Sequence, residues 1–318
     1  FRNRIMMANI HGNRLIYDEL IRKGSGYVAR HGSSFLLAND PWFRGIQIGY
    51  GPDGGVYVTD WNDFGECHDS DGSYRLSGRI YKVTYGEAKT ARDLDLAKLS
   101  NAELVKLQLH TNDWQVRHAR RLLQERAVAG RIDAATHVAL TEIVRTHPEV
   151  TRKLRALWAL HVTGGLQPGP MPPGPIRRPQ DMRRDRRVEP AAPLLLMELL
   201  DHKDENLRWW AVQLLVEDRS APIPVLQKFA AMAEHDTSPF VRLSIASALQ
   251  RLPLPHRWTI AQRLAAHAED AEDPNLPLMI WYAIEPAVPS NRTGALSFAQ
   301  GTKIPVLREF IVRRLAAK

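Results

Sequence analysis

The chain has 318 residues, 44% hydrophobic and 25% charged, a balance that excludes a wholly disordered chain and leaves room for two domains with their own cores. Its 43 basic residues exceed its 35 acidic ones, which invites a nucleic-acid or anionic-surface partner, yet six of the arginines crowd into "RRPQDMRRDRR", Arg177 to Arg187, so the charge marks a linker and names no partner. A single cysteine excludes an internal disulfide framework and a CxxC zinc site, and Cys67-His68 lacks the earlier cysteine that covalent haem attachment requires.

The opening residues, "FRNRIMMANIHGNR", carry no initiating Met, apolar signal core or cleavage pattern. They fit a cytoplasmic protein, or a mature or internal piece whose targeting segment has gone. Apolar runs such as Ala191 to Leu200 are too short to cross a bilayer. Up to about Gly86 the pattern has period two: "GYVAR", "SFLLAND", "GIQIGYG", "GVYVTDW" and "GRIYKVTYG" read as short antiparallel strands. In "GPDGGVYVTD" the Pro-Asp-Gly-Gly core supplies a preset φ, an Asx turn and residues free to take positive φ. Val56 and Val58 alternate there with Tyr57 and Thr59, which predicts a hairpin.

After "GEAKTARDLDL" the texture changes to helix-period hydrophobics with few glycines. Four helical segments centre on an apolar-Arg pair: Val116-Arg117, Leu154-Arg155, Leu207-Arg208 and Val241-Arg242. The arginines are 38, 53 and 34 residues apart, and the long interval holds a Pro/Arg-rich insertion at 164–190, so the spacing predicts a repeat of roughly 35–40 residues. A weaker copy lies around "LPLMIWYAIEP", and "IPVLREFIVRRLA" closes the chain. This half resembles HEAT repeats, in which an acid precedes the apolar-Arg pair. An acid near a helix N-terminus suits the dipole, and the arginine can ladder to the acid of a neighbouring repeat.

The expected layout is segregated α+β: strands over 1–87, then an α-helical HEAT-like solenoid over 88–318. Taken together, "NIHGNRL", "GSGYVARH", "ANDPWFRGIQIGYGPDGGVYVTDW", "GECHD" and "GRIYKVTYG", followed by "LQLHTNDWQVRHARRLLQER", resemble the membrane-bound dehydrogenase-type proteins abundant in Planctomycetes. Those combine a β-propeller similar to quinoprotein glucose and sorbosone dehydrogenases, HEAT repeats and a cytochrome c module with a CxxCH haem site. Two departures stand out. The strands supply only about two blades at four strands each, and the chain ends at "RRLAAK" without a CxxCH. The resemblance therefore implies an internal fragment of an exported, periplasmic sugar or polyol dehydrogenase, inactive alone. Electrons would pass from a pyrroloquinoline quinone-type cofactor in the propeller to the cytochrome c module as partner.

That resemblance places functional side chains at strand ends. His11 and His68 suit a general base, and Arg14, Arg44 and Arg79 suit clamps on quinone carboxylates. Asp60, Asp63 and Asp69, with Glu66, suit oxygens for Ca²⁺. Other roles stay open. Asp60 and Asp63 equally suit turn capping, and Arg79 suits a cross-strand pair. Trp42 and Trp61 suit packing, and Cys67 suits an inert buried thiol. Two rival functions stand beside the redox reading: a protein partner held on the concave face of a HEAT scaffold and, more distantly, nucleic acid bound by Arg117, Arg120, Arg121 and Arg126.

Overall fold

The computed structural model describes residues 4–64, 76–87, 90–92, 94–166 and 193–317. Among them, seven strands precede twelve α-helices, the segregated α+β layout that the change of periodicity predicts. By compactness the chain divides into two units, Phe1–Ile21 with Tyr27–Arg126 and Ile132–Leu140, and Arg22–Gly26 with Ala127–Arg131 and Thr141–Lys318.

In the first unit, β1 (Arg4–Asn9) and β2 (Arg14–Lys23) pair antiparallel from Arg4↔Glu19 to Asn9↔Arg14. The turn between them closes on Asn13, at φ 49°, a left-handed position that asparagine tolerates better than most residues. The sheet continues through β3 (Gly26–His31), and β4 (Leu36–Leu37) pairs with the start of β2. The sequence pattern does not single out β1 or β2. "RLIYDELIRK" mixes alternating Leu15 and Tyr17, which are buried, with charged, helix-favouring residues that mask the period of two. Conversely "SFLLAND" yields a strand of only two residues, since Asn39 turns left-handed at φ 52° just before Asp40-Pro41.

The second sheet runs β5 (Gly45–Tyr50), β6 (Val56–Asp60), β7 (Arg79–Val83). Its first hairpin closes as the residues dictate: Gly51 N–H donates to Gly55 O at 3.0 Å and Asp53 Oδ1 accepts from Gly55 N–H at 3.0 Å. Gly54 takes φ 82°, a conformation any Cβ would strain. Leu15, Phe43 and Val58 form the buried centre between the sheets, packed by Ala8, Ile48, Val56 and Tyr81. Each such side chain contributes on the order of 2 kcal/mol by leaving water.

The first unit extends past the change of texture near residue 87. It includes α1 (Asn101–Lys106), α2 (Asp113–Val128) to Arg126, and the start of α3 (Ala134–Thr146). Asn112 explains the extension: its side-chain N–H groups donate to Gly51 O at 2.9 Å and Pro52 O at 3.1 Å, while Tyr50 O–H donates to Asp113 at 2.9 Å. These bonds fasten the start of α2 to the hairpin turn.

The second unit continues with α4 (Val150–Val162), α5 (Leu194–Leu199), α6 (Glu205–Leu215), α7 (Ile223–His235) and α8 (Pro239–Leu249). It ends with α9 (Arg257–Leu264), α10 (Leu276–Ile284), α11 (Arg292–Gly301) and α12 (Pro305–Ala316). Alternate helices pack in two rows, α6 on α8, α10 and α12 in turn, and α7 on α9 and α11. The arginine of each apolar-Arg pair in α6 and α8 reaches forward to an acid in the next segment. Arg208 grips Asp236 through Nε at 2.7 Å and Nη2 at 2.8 Å, and Arg242 grips Asp270 at 2.7 and 2.6 Å. Asp204, four residues before Arg208, instead caps its own helix by accepting from Asn206 N–H at 2.9 Å.

Candidate functional site

The polar residues that the sequence places at strand ends gather in the first unit, where three loops are laced together by backbone bonds. Asn13 Nδ2 donates to Phe43 O at 2.8 Å, tying the β1–β2 turn to the segment before β5. Trp61 N–H donates to Arg44 O at 2.9 Å and Asp63 N–H to Trp42 O at 2.8 Å, tying that segment to the exit of β6. Asn13, Asn39 and Asn62 all sit at positive φ around this junction.

Asp60, 5% exposed, is the centre of the arrangement. Its Oδ1 accepts from the backbone N–H of Arg44 at 2.8 Å and of Asn62 at 2.9 Å, while Oδ2 faces Arg79 Nε at 3.4 Å. Arg79 also donates to Asp40 Oδ2 at 2.9 Å and lies over the Tyr81 ring at 5.4 Å. Asp40 holds the Arg79 guanidinium above its usual range, and Asp40 in turn is held below the ordinary carboxylate range by the Trp42 amide and then Arg79. Arg44 sends Nη1 to Pro41 O at 2.9 Å and Nη2 to Phe64 O at 2.7 Å, so its guanidinium fastens loop carbonyls.

Asp63 is buried and accepts from Trp61 Nε1 at 3.2 Å. Trp61 is 60% exposed, and Trp42 lies against Phe64 with ring centroids 5.5 Å apart. His11 sits exposed in the β1–β2 turn and Arg14 exposed at the first position of β2. The structure thus brings Arg44, Asp60, Asp63 and Arg79 together. It adds Asp40 and Asn13, which the sequence reading passed over, although "NDP" is a turn signal that marks Asp40. Glu66, Cys67, His68 and Asp69 lie outside the described residues.

Chemically, the junction joins one buried acid to one cation and leaves one oxygen over. Among the described residues no group of three or more His, Cys, Asp or Glu side chains converges as a metal cage. Arg44 gives protons to loop carbonyls and Arg79 is shared between two carboxylates, while Asp60 spends Oδ1 on two amides and keeps Oδ2 buried 3.4 Å from Arg79 Nε without a hydrogen bond among the described residues.

The arginine run of α2 is likewise engaged. Arg117 pairs with Asp113 at 4.0 Å and lies 5.1 Å from the Tyr50 ring, and Arg121 meets Glu125 at 3.3 Å. Arg126 donates to Asn101 and to the carbonyls of Ala97 and Leu99 at 2.8, 3.0 and 2.6 Å. Burial pushes Arg120 below its ordinary pKa.

In the second unit, half-buried aromatic side chains run from helix to helix. Trp158 meets Trp210 edge-on at 5.3 Å, Trp210 meets Trp209 at 5.1 Å, and Trp209 stacks on Phe240 at 5.5 Å. Among the described residues no helix is long and apolar enough to cross a membrane. No protein-family model matches the chain, and no curated protein matches it as a relative.

Proposed function

We propose that the helical half is a HEAT-type repeat scaffold that holds a protein partner. The observation that carries this reading is the repeated forward rung, Arg208 to Asp236 and Arg242 to Asp270, each spanning 28 residues. Identical rungs on alternate helices are what a stack of like units needs to keep register. Beside them the half-buried aromatic row of α4, α6 and α8 offers Trp158, Trp209 and Trp210 as candidate contacts, and large aromatics are the usual anchors of protein interfaces. The test is purification of the tagged chain from its native host, wild type against Trp209→Ala. The reading expects a stoichiometric partner that the variant loses while its helical circular dichroism is retained. A chain that purifies alone in both forms would sink it.

A second reading, that the β half contributes blades to a propeller of an exported quinoprotein-type sugar or polyol dehydrogenase working with a cytochrome c module, rests on the two successive antiparallel sheets. The seven strands among the described residues are fewer than the roughly sixteen of the smallest closed propeller, so this reading needs further blades. When bound, a quinone would accept the substrate's electrons. No step is assigned to Arg44, Arg79 or Asp60, whose bonds are internal, and the histidine base of this reading is His68 or His11. The check is quenching of tryptophan emission by pyrroloquinoline quinone, with and without Ca²⁺, in a protein that carries these strands together with the blades that close the ring. Saturable quenching that His68→Ala weakens supports the redox reading, and its absence removes it.

A further inference from the structure

Five residues of the strand region, Arg22–Gly26, belong to the second unit. They form the turn between β2 and β3, and their partners stand at the starts of three helices of one row. Glu205 opens α6, Phe240 lies in the first turn of α8, and Asp273 precedes α10. Ser25, 1% exposed, is the buried centre of the turn. Its amide donates to Asp273 Oδ2 at 2.7 Å and its hydroxyl to Asp273 Oδ1 at 2.6 Å. Arg22 meets Glu205 at 3.4 Å, lies over the Phe240 ring at 4.5 Å and donates from Nε to Gly24 O at 3.0 Å. One guanidinium thus serves a carboxylate, an aromatic face and its own turn.

The fit is set by residue type. Gly24 takes φ 54°, and a Cβ there would run into Asp273 Oδ2, while a Cβ on residue 26 would stand 3.3 Å from Asn275 Nδ2. Asp273 is held ready for the turn. Its Oδ1 also accepts from the Asn275 and Leu276 amides at 2.9 and 3.0 Å, so the start of α10 fixes the carboxylate. Burial opposes its charge, yet the Ser25 hydroxyl and amide keep its carboxyl below the ordinary range. The contact is small and polar: Arg22 is half-buried, and Lys23 and Gly24 are exposed. A contact of this kind exchanges readily, because a competing turn offers the same bonds and little apolar area has to be uncovered.

We propose that Glu205, Phe240 and Asp273 form a recognition site for an arginine-bearing Gly-Ser-Gly turn, that Arg22–Gly26 fills it in cis, and that a protein partner presenting such a turn enters by displacing it. The existence of that partner rests on the scaffold reading, and its chemistry rests on the resident turn. The test is fluorescence anisotropy of a labelled cyclic peptide of residues 20–28, "LIRKGSGYV", titrated with the whole chain. Arg22→Ala together with Ser25→Ala removes both side-chain anchors of the resident turn. This double variant should bind the peptide saturably, with wild type about tenfold weaker because its site is filled. Adding Asp273→Asn should weaken the peptide about tenfold as well, since the amide oxygen keeps the bonds to the start of α10 while its nitrogen confronts the peptide's serine amide. No saturable binding by a double variant of wild-type helical circular dichroism, equal binding by wild type, or full affinity after Asp273→Asn would overturn the site. Should the double variant lose its helices, Ser25→Ala alone carries the same comparison. A wild-type dimer in sedimentation would make a second copy the occupant and overturn the foreign partner. Peptide binding by a chain that purifies alone from its host would keep the recognition site and remove only the partner.

Discussion

At the scale of single residues, Asp60 shows how a side chain chosen by position alone acquires a specific task. It stands at the exit of β6, where a carboxylate serves a turn or a ligand equally well, and in the fold it organises two backbone amides and faces Arg79. Asp60→Ala leaves the Arg44 and Asn62 amides without their acceptor, for an expected loss of about 2–4 kcal/mol in urea unfolding. Asp60→Asn keeps an acceptor oxygen and should cost less than half as much; equal losses would mean that the amides are not what Asp60 serves. Gly54 isolates a backbone effect. It takes φ 82° and a Cβ there would meet nothing within 4 Å, so Gly54→Ala should cost about 1 kcal/mol through conformation alone. A neutral variant by thermal melting would show that the turn relaxes.

At the scale of the element, the β5–β6 hairpin and its neighbour β7 share an ion pair whose pH dependence can be worked out. Lys82 and the Gly55 amide lower the Asp53 pKa from 3.8, and Asp53 raises that of Lys82 from 10.5. A depressed carboxylate stabilises the fold above its unfolded pKa, and that contribution disappears as the pH falls through the folded value. A raised lysine contributes fully below its unfolded pKa and loses that contribution as the pH rises through the folded one. Melting temperature should therefore fall below about pH 4 and again above about pH 10, with both limbs shallower in Asp53→Asn. Limbs of unchanged depth in the variant would show that other groups govern them. The helices carry their own local signals. Ser100 and Glu103 form a reciprocal capping box at the start of α1, with Glu103 accepting from Ser100 N–H at 2.7 Å, a pattern visible in "SNAE".

At the scale of the whole molecule, the arginines bear on the rival functions through what each one pairs with. Arg242 and Asp270 are 3% and 4% exposed; Asp270 would be an uncompensated buried charge without Arg242, which itself also meets Glu269 at 3.6 Å. Arg242→Met should cost about 3–5 kcal/mol, and Arg242→Met with Asp270→Leu much less, because a buried pair replaced together by apolar groups is close to neutral. Equal losses in the single and double variants, measured by chemical unfolding, would refute the rung. The excess of basic residues should give no tight nucleic-acid complex, because Arg126 is fixed to Asn101 and to backbone carbonyls, and Arg117 and Arg121 each stand one turn from an acid that repels phosphate. Affinity for a 20-mer duplex should stay in the non-specific range, about 10⁻⁴–10⁻⁶ M at physiological salt. Tighter, sequence-dependent binding would reinstate that function.

Side-chain spacing alone divides the chain into a β half and an α half, because periods of two and of 3.6 are local properties of the residue order. Residue order also determined the Pro-Asp-Gly-Gly hairpin, whose backbone needs are met by the turn residues themselves, and the apolar-Arg pairs that recur in α2, α4, α6 and α8. It hid β1 and β2, since the polar residues of β2 obscure the alternation of Leu15 and Tyr17. Only the tertiary structure decided which acid each arginine meets. Asp204 is four residues from Arg208 in sequence, yet the partner is Asp236, 28 residues away, because pairing depends on how helices stack. The same holds for the polar junction of the sheets. Arg44, Asp60, Asp63 and Arg79 were legible as strand-end residues, but that they gather at one junction, with Asp40 and Asn13 beside them, follows from three loops folding onto one place.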